Sequence, residues 1–324
     1  MGVKLVLLLL LVSPLSSMAL ENSSQADFSI LEGGSRIILE GSDALEIPLS
    51  LSESADETHL FDRLPVYSAN RSINGTFSPS HDGKGSRIGT KSKNTVCVSP
   101  FNLSEYLPGF SGSGFFAGID CIETIVVETV VVETVVESND SNVAIFEISK
   151  KPAGMYSLYV FDENNSTLLS KQPFLITEGE IVLKMDYIVA SLEPFIRIKV
   201  NSTVFKNQSK FFATFMIPRE DYDNVSLSLA ENRTTGSSDL NLSLGSKSLQ
   251  MYGSPRVSSE LLMNLLPLLP TGSAVGLQES TQPGVDLILM TDQPWKKGQY
   301  VLICGVYSPE KGLVGIKQAN VEVI

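Results

Sequence analysis

Lys151-Pro-Ala-Gly-Met-Tyr-Ser-Leu-Tyr-Val160 and Lys296-Lys-Gly-Gln-Tyr-Val-Leu-Ile-Cys304 read as two versions of one segment. Aligning Gly154 with Gly298 matches Tyr156 with Tyr300 and Leu158 with Leu302. Each copy runs into a turn-rich stretch, Asp162-Glu-Asn-Asn165 or Ser308-Pro-Glu-Lys-Gly312. Each then closes on a β-rich run, Pro173–Thr177 or Ala319–Ile324. The glycines lie 144 residues apart, about the length of one domain. A chain of 324 residues has room for about two domains, and an internal repeat at that offset argues for a tandem.

Working outward, short β-rich runs alternate with turn clusters. Phe28–Glu32 and Arg36–Glu40 flank Gly33-Gly34 as a hairpin. Ala44–Leu51 alternates at period two. Ser78–Lys93 is polar and Gly-rich, a long loop. Thr95–Ser99, Val143–Ile148, Ile181–Met185, Ile196–Val200, Phe211–Ile217 and Val225–Leu229 read as strands. Ser258–Leu269 breaks the pattern: a serine cap, Glu260 in the first turn and a Leu-rich run predict a short helix interrupted at Pro267.

The Gly-x-Tyr-x-Leu pattern before a hairpin resembles strand F of immunoglobulin-like sandwiches, where a Tyr hydroxyl bonds back across a corner. On that resemblance Tyr156 and Tyr300 are the corner residues. Leu158 and Leu302 take the place that Cys fills in antibody domains. The fold expected is all-β: two tandem immunoglobulin-like β-sandwich domains, 20–177 and 178–324, after a cleaved signal peptide at 1–19, with one short helix in the second domain.

The signal reading rests on Lys4, the apolar run Leu5–Val12 and the small residues of Ser17-Met18-Ala19. That run is too short for a bilayer, which takes about 20 apolar residues. Phe115–Val136 is apolar on average, but Asp120, Glu123, Glu128 and Glu133 interrupt it, each costing about 2.5–3.5 kcal/mol at bilayer depth. The expectation is a secreted, extracellular, cell-surface-associated protein with no span in the mature chain. The net charge of −12 and the absence of a basic run disfavour nucleic acid and anionic lipid as partners.

Asn-x-Ser/Thr begins at Asn22, Asn70, Asn74, Asn102, Asn139, Asn164, Asn165, Asn201, Asn207, Asn224, Asn232 and Asn241. These are twelve of the sixteen asparagines. The chain's Ser and Thr content would supply about three such triplets by chance. The excess argues that many carry N-glycans on exposed positions. A coated surface favours shielding, spacing and lattice roles.

Glu123-Thr-Ile-Val-Val, Glu128-Thr-Val-Val-Val and Glu133-Thr-Val-Val-Glu137 form a pentapeptide repeat. Its β-branched density favours strand, and an odd repeat puts successive glutamates on opposite faces. It reads as a long sandwich strand or strand pair. Alternatively it is an edge that pairs with another copy, restrained by its glutamates.

Cys97 and Cys121 share the first half of the chain and can pair in an oxidising exterior. Alternation from Tyr300 turns Cys304 inward as a buried thiol, with an intermolecular bridge the alternative. The two histidines, His59 and His81, have no Cys or His at zinc spacing. No Gly-x-Ser-x-Gly elbow, P-loop or dinucleotide fingerprint appears. No catalytic, cofactor-binding or metal residue is assigned. Weak surface calcium at Asp221-Tyr-Asp223-Asn224 or Asp162-Glu-Asn164 is outweighed by the plainer reading of both as turns.

Pro152-Ala-Gly154-x-Tyr156-x-Leu158, followed by Pro173-Phe-Leu-Ile176, in an acidic exported chain dense in sequons resembles secreted surface proteins of methanogenic archaea that carry a repeated all-β extracellular domain. The resemblance implies a non-catalytic cell-envelope or surface-matrix component whose partners are other envelope proteins or copies of itself. The alternative is an adhesin-like module that recognises a glycan or protein through sandwich-end loops; a secreted hydrolase is a remote third.

Overall fold

The computed structural model describes residues 36–41, 43–53, 56–69, 71–78, 93–101, 121–128, 144–162, 167–190, 195–203, 208–223, 225–232, 237–244, 247–251, 269–290, 295–308 and 312–324. The protein is all-β, with one short helix among the described residues. The chain divides into two compact units. One holds the described residues of Glu21–Ser42 and Ala69–Ile176; the other holds those of Asp43–Ser68 and Thr177–Ile324.

Among the described residues of the first unit seven strands follow one another along the chain: β1 (Arg36–Leu39), β4 (Ile73–Ser78), β5 (Lys93–Pro100), β6 (Glu123–Glu128), β7 (Ala144–Ile148), β8 (Gly154–Asp162) and β9 (Thr167–Thr177). They form a β1-β4-β7 sheet and a ribbon ordered β6-β5-β8-β9. Every pairing within these two groups is antiparallel. The apolar residues of β4 and β7 alternate with more exposed ones as half-buried sheets require, whereas Asn94–Ser99 of β5 is buried on both faces. Ile73 and Phe77 point in from β4, as do Phe146 and Ile148 from β7 and Val96 and Val98 from β5. Gly75 is needed where it stands. A Cβ there would meet the Phe146 ring, and Leu39 Cδ2 at 3.0 Å.

The second unit repeats that order. The seven strands concerned are β10 (Ile181–Lys184), β12 (Phe195–Ser202), β13 (Lys210–Pro218), β17 (Ala274–Ser280), β18 (Gly284–Met290), β19 (Gly298–Ser308) and β20 (Gly312–Val323). Numbered along the chain within each unit, strands 1-2-5 form one group and 4-3-6-7 the other, in both units. A short β11 (Ile188–Val189) adds in parallel to β20. A single pairing, Val275 with Met290, links the two groups here. Phe195–Ser202 shows why the sequence folds so: Ile196, Ile198 and Val200 are buried while Phe195, Arg197 and Lys199 face out. The core joins these residues to Leu287 and Leu289 of β18, Phe212 and Met216 of β13, Tyr300, Leu302, Cys304 and Val306 of β19, and Val321 of β20.

Two excursions leave this scheme. Between β1 and β4 the chain makes β2 (Asp43–Glu53) and β3 (Asp56–Ser68), an antiparallel hairpin that belongs to the second unit. Between β13 and β17 it makes a one-turn helix, α1 (Arg219–Asp223), then β14 (Val225–Asn232), β15 (Ser237–Leu244) and β16 (Lys247–Met251). β2 pairs in parallel with β14, Ser50 opposite Ser226, so the excursions share one ribbon, β16-β15-β14-β2-β3. Glu46 fastens the hairpin to the sandwich. Its N–H donates to Gln318 Oε1 (3.0 Å), its carboxylate takes Arg219 Nη1 (2.7 Å), and its carbonyl accepts the Tyr222 hydroxyl. Val301 and Ile303, on the face of β19 opposite the core, are buried as well.

The strands expected from 36–40, 44–51, 95–99, 143–148, 181–185, 196–200, 211–217 and 225–229 are present, with ends that differ by up to three residues. Several expectations lie outside the described residues: the signal peptide, the run at 28–32, the interior of the 78–93 loop, the 258–268 part of the expected helix, and the repeat beyond Glu128. The helix that is described is a different one. The Asp221–Asp223 turn is instead α1, where the backbone closes a helical turn and Asp223 Oδ2 accepts Arg219 Nε at 3.0 Å. No helix of the described residues is long and apolar enough to cross a membrane.

Candidate functional site

The two Tyr segments occupy matching places. Tyr156 donates its hydroxyl to the Pro152 carbonyl at 2.9 Å, and Tyr300 donates to the Lys296 carbonyl at 3.0 Å. In each, a phenol on the sixth strand bonds to the carbonyl four residues upstream. Leu158 and Leu302, two residues on, are fully buried. Tyr156 stacks on Phe174 with ring centroids 5.5 Å apart, whereas Tyr300 meets Trp295 edge-on at 6.0 Å. Burial pushes both phenols above their ordinary pKa. The aligned glycines differ: Gly298 sits at φ +142°, a conformation that other residues rarely adopt, while Gly154 has no positive φ.

The repeat extends beyond the two Tyr segments. Pro100 ends β5 directly opposite Tyr156, and Pro218 ends β13 directly opposite Tyr300. Proline has no N–H to give the ladder, so it stands where pairing stops. The prolines lie at unequal distances before their tyrosines because the intervening loops and excursions differ, which hid the match.

Cys97 and Cys121 are joined by a disulfide, with Cα atoms 5.6 Å apart. It lies on the outer face of β5, packed against Tyr159, Phe161 and Leu168. Cys304 is a free thiol, wholly buried in the second core. Burial pushes its pKa up to about 12, so at neutral pH it is a packed sulfhydryl and not a nucleophile.

Among the described residues, β6 is the last strand of its ribbon. Ile122 precedes it and Val126 stands on it, 46% and 50% exposed. Glu123 is held: Lys151 Nζ lies 2.6 Å from its Oε2, and the Ser149 N–H donates to its Oε1 at 3.0 Å. Burial opposes the charged carboxylate, but the bonds from Lys151 and Ser149 outweigh it and hold its pKa below the ordinary value. The glutamate spacing is visible in the sequence; this partner is not, because it arrives through tertiary pairing 28 residues along the chain.

The sequon asparagines divide by description. Asn74 on β4 is exposed, and Asn201 on β12 is partly buried. Asn232 ends β14 and Asn241 lies within β15. Asn22, Asn70, Asn102, Asn139, Asn164, Asn165, Asn207 and Asn224 lie outside the described residues. Among the described residues, no group of three or more His, Cys, Asp or Glu side chains is placed to hold a metal.

No family model and no curated protein matches the chain. Among solved structures, the crystal structure of red sea bream transglutaminase is similar at 10% identity and a TM-score of 0.27, over 80% of this chain and 30% of that one. So low a score carries no argument about fold or chemistry.

Proposed function

We propose that this protein is a non-catalytic, N-glycosylated extracellular component of a cell envelope or surface matrix, acting through contacts with copies of itself or with other envelope proteins. The observation that carries the reading is the β6 edge. A sheet edge offers unpaired backbone groups to another chain, and here it also offers the exposed side chains of Ile122 and Val126. Glu123 is already paired with Lys151, and Glu128 and Glu133 of the surrounding repeat supply the charges that keep such an edge from stacking without limit. The density of sequons and the apolar leader-like run at the start of the chain support the extracellular setting. The polar contacts already described, the two phenol–carbonyl bonds, the Glu123–Lys151 pair and the Glu46 fastening, serve to brace strands.

Chemical cross-linking and light scattering over a range of concentrations, with and without calcium, test this. The expected outcome is reversible assembly that Val126→Lys abolishes without moving the thermal midpoint. A strict monomer at high concentration would sink the reading. Fractionating the native cells supplies the second check: the protein is expected with the envelope or in the shed material.

A further inference from the structure

The geometry points to Asn74 as an occupied N-glycosylation site whose first sugar lies along an apolar row on the outer face of the β1-β4-β7 sheet; the inference rests on the glycoprotein reading above. Asn74-Gly75-Thr76 is a complete sequon placed on β4, the central strand of that sheet. Successive strand residues point to opposite faces, so Asn74 and Thr76 share the outer one. Gly75 turns inward, where the Phe146 ring leaves no space for a side chain. The two groups of the acceptor triplet that matter chemically, the carboxamide and the hydroxyl two residues on, therefore share the outer face, Asn74 exposed and Thr76 half-buried. Core packing fixes that orientation.

The surroundings are built oddly for bare solvent. Thr76 pairs with Ile38 on one side and Ile145 on the other. Those isoleucines are 44% and 74% exposed. Side chains directly opposite across a sheet have Cβ atoms about 4.5–5.5 Å apart, so Ile38, Thr76 and Ile145 form a continuous strip one row from Asn74. Glu147 is the partner of Asn74 on β7, and the Glu40 N–H donates to the Asn74 carbonyl at 2.9 Å on the β1 side. Both glutamates are exposed. An apolar strip bordered by two carboxylates is complementary to a pyranose, whose ring C–H face is apolar and whose rim carries hydroxyl and amide donors. A sugar on Asn74 has only to lie along the row to cover it.

Asn201, the other sequon residue whose side chain is described, is placed differently. Its carboxamide rests over Gly284, where an added Cβ would collide with Asn201 Oδ1. The hydroxyl of Thr203 is engaged with Glu180, accepting from its N–H at 3.1 Å. Ser202 between them is buried. The Asn201 carboxamide is used for packing, and it is expected to be unmodified in the mature protein.

Glycopeptide mass spectrometry on the protein purified from its native cells decides the point. The peptide containing Asn74 is expected to carry a glycan, and the peptide containing Asn201 to be bare. Asn74→Gln and Thr76→Ala each remove the modification, whereas Thr76→Ser keeps it. The packing claim has its own readout: Asn74→Gln is expected to raise binding of an apolar dye at least twofold, and adding Ile145→Ser to that variant brings it back. If Asn74 is bare while other sequons are occupied, this inference falls and the glycoprotein reading stands. If every sequon is bare, both fall. If Asn74 is occupied but dye binding is unchanged in Asn74→Gln, the sugar does not cover the strip.

Discussion

Tyr156 and Tyr300 each trade a hydroxyl's contact with water for a bond to a backbone carbonyl at a strand entrance. Removing the hydroxyl leaves a partly buried acceptor unpaired. Tyr156→Phe and Tyr300→Phe are each expected to cost about 1 kcal/mol, read by urea denaturation. A loss confined to one of them would mean that the matching geometry does not carry matching energy. Cys304 gives a pH prediction. Its folded pKa, about 12, lies above the ordinary thiol value of 9.0, so between those values the unfolded chain releases a proton that the folded chain keeps. That contribution to stability is complete below pH 9 and is lost as pH rises toward 12. Between pH 9 and 10, before tyrosines join in, stability is expected to fall by up to about 1.4 kcal/mol per pH unit. Cys304→Ala, whatever its own cost, should flatten that slope; an unchanged slope would rule the thiol out as its source.

At the scale of elements, the Cys97–Cys121 bond closes a loop with 24 residues of sequence separation, which in the chain-entropy account stabilises by about 3 kcal/mol. The double variant Cys97→Ala/Cys121→Ala is expected to show a loss of that order in denaturant, and reduction of the native protein should match it. Gly75→Ala is expected to destabilise by about 1–3 kcal/mol through overpacking, because the Phe146 ring already occupies the space. Phe146→Leu in the same chain should recover part of the loss, and additivity of the two changes would argue against the collision. Strands were legible wherever apolar residues alternate, as in Phe195–Ser202, since period two needs no knowledge of neighbours. The helix was not. Arg219–Asp223 is a single turn with a charged sequence, held by Tyr222 and Arg219 reaching Glu46, 176 and 173 residues away, and no local signal announces that.

For the whole molecule, the most consequential feature is the Asp43–Ser68 hairpin, which precedes most of the first unit in sequence and belongs to the second. Deleting it, with Ser42 joined to Ala69, is expected to strip cover from the second unit at Gln318, Arg219 and Tyr222, the residues that Glu46 engages. The thermal midpoint should drop by several degrees and apolar-dye binding should rise; unchanged melting would show that the hairpin is dispensable. The amino-acid sequence by itself determined the all-β class and the alternation of half-buried strands such as Phe195–Ser202. It also exposed the repeated Tyr segment, because these follow from alternation and self-similarity, which a single chain displays in order. Only the tertiary structure decided that Pro100 and Pro218 stand opposite the two tyrosines, that Glu123 is neutralised by Lys151, and that Asn74 faces out beside Ile38 and Ile145 while Asn201 is packed over Gly284. Those facts depend on which strands become neighbours, and long-range pairing is set by the burial of the whole core, to which no short stretch of sequence has access.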